Sequence, residues 1–284
     1  MSVRIIIDSA SDITKEQADQ LHLDFLPLKT IFGKEEYLDG ITMSSSQFYE
    51  KLIETEQLPT TSQIPPYEYE ALFESVKAAG DTAVCITLSG KLSGCIQSAN
   101  IAAQEYESVV EIVDSENVCI GERILIFYAV RLREEGKSAE EIHRLLDLKK
   151  KEIRVIALLD TLEYLKKGGR ISATTAFAGT LLSIKPVVAV VDGEVAILGK
   201  ARGSKNGNNM LMELTENNGG IDFSLPFALG YSGLTDTLLQ KYIADSHSLY
   251  EGKTDTLPIS AIGSTIGTHV GPGAIALAFF AKKS

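Results

Sequence analysis

Four short stretches of the sequence gather hydroxyls, glycines and single ionisable groups: DSASD (8–12), TTSQ (60–63), LSGKLSG (88–94) and GSTIGTHVGPG (263–273). Thr60, Thr61, Ser62, Ser89 and Ser93 supply hydrogen-bond donors without charge. Helices expected to begin behind Ser62 and Ser93 would add free backbone N–H groups and the partial positive charge of a helix start. Such donors suit a carboxylate or a phosphate, and plain N-capping accounts for the same residues. His269 stands among four glycines and a proline within residues 263–274, where a base, a ligand clamp or a bent turn all fit.

Several chemistries can be set aside on spacing. LSGKLSGC does not match GxxxxGK[ST], and DSASD, not GxGxxG, follows the first expected strand, so a nucleotide is discounted. No HExxH or clustered His/Asp/Glu spacing supports a metal. The enzyme alternative is a small-molecule serine hydrolase. Ser93 or Ser89 would be its nucleophile, His269 its base, and Asp8 or Asp12 its orienting acid. Against it, GxSxG is missing and SGKLSG is no nucleophile elbow. Arg170 in KKGGRIS and Arg202 in GKARG, with Lys166, Lys167, Lys185 and Lys200, form a cationic exception in a chain of net charge −11. A solvated surface and a docking or phosphate-handling patch both fit them.

The composition frames these residues. A length of 284 residues is comfortable for two domains, and 44% hydrophobic with 23% charged residues is ordinary for a globular chain. The net charge argues against nucleic acid and against electrostatic docking on an anionic membrane. Cys85, Cys95 and Cys119 read as reduced core thiols. The start MSVRIIIDSASD has no apolar h-region, and stretches such as LLSIKPVVAVV (181–191) are too short to span a bilayer. A cytoplasmic protein without integral membrane association is expected.

The elements that would position these loops alternate strand and helix. Strands are expected at 3–7, 24–32 and 82–89, and 108–117 is expected as a strand followed by a loop. Helices are expected from Thr14, over 44–56, 66–80, 95–106, 121–136 and 138–153, and 58–66 is expected as a loop. This order implies a parallel sheet covered by helices. After about residue 152 the pattern changes. Strand 154–161 and a short helix with a Gly-Gly stop come first. A small-residue helix over 171–184 and a hairpin over 185–203 turning at Asp192-Gly193 follow. Helix 204–217, strand 223–231, helix 234–249, strand 256–262, the glycine-rich loop and IALAFF complete it. The expectation is an α/β protein of two α/β domains: an N-terminal parallel-sheet, Rossmann-like domain (1–152) and a C-terminal mixed-sheet domain (153–284). In open α/β sheets, ligands sit at the carboxyl ends of strands, where the first and third loops fall.

Taken together, DSASDI, TSQ at 61–63, ITLSGKLSGCIQSA at 86–99, GGRIS at 168–172, IKPV at 184–187 and GTHVGPGAIALAFF at 267–280 resemble the DegV family, in its order and over essentially the whole chain. The resemblance implies two α/β domains with one long-chain fatty acid between them in a buried tunnel. It implies a lipid-binding subunit with no cofactor and no catalysis of its own. That subunit presents the carboxylate to a separate fatty acid kinase catalytic subunit, which forms an acyl phosphate. By position, Thr61 and Ser93 are similar to the family's carboxylate hydroxyls, with Ser62 and Gly94 beside them. His269 matches the histidine near the head group. Arg170 and Arg202 match arginines of kinase docking or phosphate handling. The physics is compatible: a chain of about C14–C18 buries methylenes worth about 0.8 kcal/mol each, so about 11 kcal/mol gross for hexadecanoate, ample against association costs. The buried carboxylate is the harder demand, because left unpaired it costs several kcal/mol.

Overall fold

The computed structural model describes residues 2–171 and 184–282. The first half runs β1 (Val3–Asp8), α1 (Lys15–Gln20), β2 (Leu23–Leu26), β3 (Lys29–Phe32), β4 (Glu35–Leu38), α2 (Ser45–Glu54), β5 (Thr60–Ser62), α3 (Pro66–Ala79), β6 (Thr82–Thr87), α4 (Cys95–Ala103), β7 (Val110–Asp114), α5 (Ile120–Glu134) and α6 (Ala139–Lys149). The second runs β8 (Ile153–Leu158), α7 (Glu163–Lys167), β9 (Ile184–Val191), β10 (Glu194–Arg202), α8 (Gly203–Asn217), β11 (Phe227–Tyr231), α9 (Thr237–Asp245), β12 (Ile259–Ala261), α10 (Ser264–Val270) and β13 (Ile275–Phe280).

The apolar β1 and β6 lie at the centre of a four-stranded parallel sheet of order β2-β1-β6-β7, as continuous buried runs require. Thr14, Ser44 and Ser138 start α1, α2 and α6 with complete capping boxes, and Gly80 (φ 68°) ends α3 in the left-handed conformation. The second half builds a six-stranded mixed sheet, β10-β9-β8-β13-β11-β12. Its β9–β10 hairpin turns at Asp192 (φ 49°) and Gly193 (φ 82°), the pair of positive φ angles that matches strand twist. Helix α5 packs between the sheets, against β1 on one side and β8, β11 and β13 on the other. Ten of its fifteen residues are buried, more than one face, which explains the unbroken apolar run ILIFYAV. Cys85, Cys95 and Cys119 are free and buried, as read.

Three expectations needed correction. Residues 24–32 are two strands: Pro27 has no N–H to continue the ladder, so β2 stays in the parallel sheet and β3 leaves it. Residues 58–66 contain β5, which pairs antiparallel with β3. With β4 they form a third sheet, β4-β3-β5. The glycine-rich loop contains α10, ended by Gly271 (φ 69°). Its N-cap, Gly263, offers no side-chain acceptor, so nothing local signals the helix. The small-residue helix expected over 171–184 falls on residues 172–183, outside the described residues.

Candidate binding site

Helix α10 is fixed at its start by a carboxylate from the first half of the chain. Asp39 is buried. Its Oδ1 accepts from Ser264 N (2.8 Å) and Ser264 Oγ (2.8 Å), and its Oδ2 from Ser9 Oγ (3.1 Å) and Thr265 N (3.3 Å). This is a helix cap supplied from 225 residues away in sequence. Thr30 Oγ1 lies 2.9 Å from Ser264 Oγ; since Ser264 donates its hydrogen to Asp39, Thr30 is the donor. Thr30 and Thr61 are directly paired across β3 and β5, so both side chains leave the same face of that sheet. Thr30 meets the first residue of α10, and Thr61 Oγ1 meets His269 Nε2 at 2.9 Å in its last turn. The helix is therefore held on the small sheet at two points. Gly267 allows close packing behind it, for a Cβ there would lie 2.5 Å from the Phe48 ring.

His269 is pressed against the turn after α7: a Cβ on Gly168 would fall 2.3 Å from its Nδ1. That nitrogen is buried and has no partner among the described residues. Burial, and secondarily the charge of Arg170, lowers the His269 pKa to about 4, so the ring is neutral near pH 7. The tautomer follows from polar accounting. A proton on Nδ1 would bury an unpaired N–H, whereas a proton on Nε2 leaves only an unpaired lone pair, the cheaper omission. Nε2–H then donates to Thr61 Oγ1, and the Thr61 hydroxyl hydrogen is left to donate elsewhere. His269 thus acts through Thr61.

The third loop follows β6. Ser93 N and Leu92 N both bond back to Ser89 O, placing Ser93 and Gly94 at the start of α4. Ser93 Oγ accepts from Cys95 N (3.3 Å) and donates to Cys95 Sγ (3.3 Å), a local turn contact from the residue before the N-cap Gly94, and α4 has no side-chain cap. Gly94 is required by a close approach: a Cβ there would lie 1.9 Å from Gln63 Oε1, and Gln63 Nε2 is tied to Ser98 Oγ at 2.9 Å. Arg170 Nε donates to Leu92 O (3.1 Å) and Nη1 to Gly168 O (2.6 Å), joining this loop to the turn behind His269. Ser62 is no helix cap; α3 begins at Pro66, and Ser62 Oγ makes only a 3.4 Å contact with Gln63 O.

These groups surround one cavity of about 300 Å³ between the two halves of the chain. Thr61, Ser62, Ser93, Gly94, Arg170 and His269 all line it. Eight aliphatic residues complete the wall, among them Leu28, Leu88 and Val118 from the first half and Leu165, Val195 and Ile266 from the second. A more open cavity of about 390 Å³ abuts it, sharing Leu92, Arg170 and Val195 and bordered by β10. Arg202 is not in this wall; it is exposed at the end of β10, its carbonyl accepting from Asn206 Nδ2. Sequence reading missed Gln63 and Thr265, which also line the cavity. Gln63 sat next to TTS, but its role needed the fold of the loop. Thr265 becomes visible only once 264–270 is a helix, because it then shares a face with His269.

The hydrolase arrangement is not assembled. His269 bonds Thr61 rather than Ser93, and its other nitrogen faces Gly168, not an acid. Asp8 accepts from Ala10 N and Leu88 N, Asp12 from Gly263 N, and Ser89 Oγ donates to Gly193 O. Among the described residues, no group of three His, Cys, Asp or Glu is disposed to hold a metal, and no helix is long and apolar enough to cross a membrane.

Comparison with known proteins bears on this cavity. A family model described as an uncharacterised protein of the DegV family matches residues 2–282. A DegV domain-containing protein of Caldanaerobacter subterraneus is 31% identical over 99% of both chains. A DegV family protein of Thermus thermophilus, solved for its fatty acid binding, superposes with a TM-score of 0.88 at 28% identity, covering 99% of this chain and 100% of that one. A stearic acid-binding protein of Eubacterium ventriosum superposes at 0.85 with 27% identity, covering 98% and 97%.

Proposed function

Since the chain belongs to the DegV family, we propose that its cavity holds one long-chain fatty acid, carboxylate toward Thr61 and Ser93 and acyl chain along the aliphatic wall. The observation that carries this reading is the composition of a single wall. Uncharged donors, the N-terminal end of α4, a neutral imidazole and the Arg170 guanidinium line the same cavity as eight aliphatic side chains. A carboxylate needs the first and an alkyl chain needs the second. Thr61, with its hydrogen directed away from His269, donates to one carboxylate oxygen. Ser93 and the start of α4 beside Gly94 and Ser62 serve the other. On this reading the ligand lies between two domains, 1–152 and 153–284, which Arg170 links by its bond to Leu92 O.

The protein carries its ligand and does no chemistry on it. Its role is to present the carboxylate, in the cytoplasm, to a fatty acid kinase catalytic subunit that forms the acyl phosphate. Arg170 beside the head group and the exposed Arg202 suit that step, because a guanidinium fork matches phosphate oxygens. Mass spectrometry of protein denatured after expression tests the binding function: a co-purified acid of about C14–C18 is expected, enough methylenes to offset association costs. Absence of lipid, with no uptake of added fatty acid, overturns the reading.

A further inference from the structure

Thr265 precedes His269 by four residues on α10, so the two side chains share a face of the helix, and both line the cavity. Thr265 is 2% exposed, yet its hydroxyl has no hydrogen-bond partner among the described residues. The other hydroxyls of α10 are bonded: Ser264 Oγ to Asp39, and Thr268 Oγ1 to Ser264 O one turn back. Thr265, second in the helix, has no preceding helical turn to bond back to, and the Ile262 carbonyl three residues before it accepts from Ser45 Oγ; its own N–H is anchored on Asp39. A buried hydroxyl left unpaired weakens a fold, and its place in a ligand cavity points to a partner that the ligand brings.

The donor count at the head group agrees. A carboxylate has about four acceptor positions, and Asp39 fills all of its own with hydroxyl and backbone donors of this same helix start and its neighbours. The ligand's carboxylate has Thr61, Ser93 and the start of α4, and with the Ser93 hydroxyl shared with Cys95 an acceptor position is left for a further hydroxyl. Resting on the fatty-acid reading above, we infer that Thr265 is the third hydroxyl of the head-group site, its Oγ–H donating to the carboxylate of the bound fatty acid.

Thr265→Val keeps the shape and removes only the hydroxyl. The measurements are the affinity for hexadecanoate and the melting temperature of delipidated protein. Thr265→Val should bind about tenfold more weakly while melting at the same or a higher temperature, because the unpaired hydroxyl is gone. Thr265→Ser should restore the affinity. Unchanged affinity in Thr265→Val overturns the assignment, as does a parallel loss of affinity and melting temperature that Thr265→Ser does not repair, which marks a packing role. If wild-type protein takes up no hexadecanoate, the fatty-acid reading falls and this inference with it. Binding by wild type that Thr265→Val leaves intact sinks this inference alone.

Discussion

The two ends of α10 treat hydrogen-bond donors in opposite ways. At its start, hydroxyls and backbone N–H groups converge on Asp39, an acceptor the chain itself provides. At its end, Thr61, Ser93 and the neutral His269 converge on a cavity, and among the described residues none of them donates to a carboxylate of the chain. In the first arrangement every hydrogen bond to the buried Asp39 side chain from the described residues comes from a neutral donor. The second has the same chemistry with the internal acceptor omitted. The difference predicts a division of labour: losing the Asp39 cap costs stability, and losing a hydroxyl that faces the cavity, Thr61 or Thr265, costs affinity.

The largest effect expected is at Asp39. Asp39→Ala strands four buried donors, each worth about 1–3 kcal/mol when left unpaired, and partial hydration should bring the total to about 3–5 kcal/mol. Urea denaturation measures it, and fatty acid retention should fall too, since α10 carries His269. A loss below about 1 kcal/mol would mean that this end of the helix is not held by the carboxylate.

A second effect separates the ends by pH. His269 has a folded-state pKa lowered to about 4 from an ordinary 6.5, so its contribution to stability is complete above 6.5 and is lost as pH falls through 4. That shift corresponds to about 3 kcal/mol. Asp8 and Asp12 work the other way: burial pushes both up to about 7 from 3.8, so their contribution is complete below 3.8 and lost as pH rises through 7. The wild-type profile between pH 4 and 6.5 is therefore a partial cancellation. Subtracting the profile of His269→Asn, in which the acids remain, isolates the histidine. The difference should shrink steadily over that window as pH falls, and a flat difference would show that the ring is not held neutral.

Much of this contrast was legible in the sequence, and the illegible part has a physical cause. Thr61, Ser93, Gly94, Arg170 and His269 read in the sequence as lying in loops between periodic segments, where hydroxyls and glycines mark helix starts and close approaches, although Thr61 proves to lie on β5 and His269 in α10. The structure brings all five to one wall. The parallel sheet was legible because β1 and β6 are uninterrupted apolar runs. Helix α10 was not: its cap comes from Asp39, remote in sequence, and its own residues include a glycine and β-branched threonines that propensity assigns to a loop. Strand β5 was hidden for a related reason, since three residues carry no periodicity and gain their identity from pairing with β3. Where tertiary partners define an element, local patterns are silent, and Thr265 was lost with the helix that aims it.

The smallest effect expected is the most discriminating between the two ends. Thr61→Val preserves the β-branched shape on β5 and removes one hydroxyl whose partner among the described residues is His269. Stability should change by less than about 1 kcal/mol, because one partly buried neutral hydrogen bond is worth that much. Affinity for hexadecanoate should fall by about 1–2 kcal/mol, since the ligand's carboxylate loses its donor. His269 sharpens the comparison further. With Thr61 gone its Nε2–H also lacks a partner, so the imidazole should exchange tautomers, visible as averaged ring-nitrogen resonances in place of one fixed Nε2–H form. Unchanged affinity together with a fixed tautomer would show that Thr61 and His269 form a purely internal pair. The end of α10 would then be a second closed clasp like the one at Asp39.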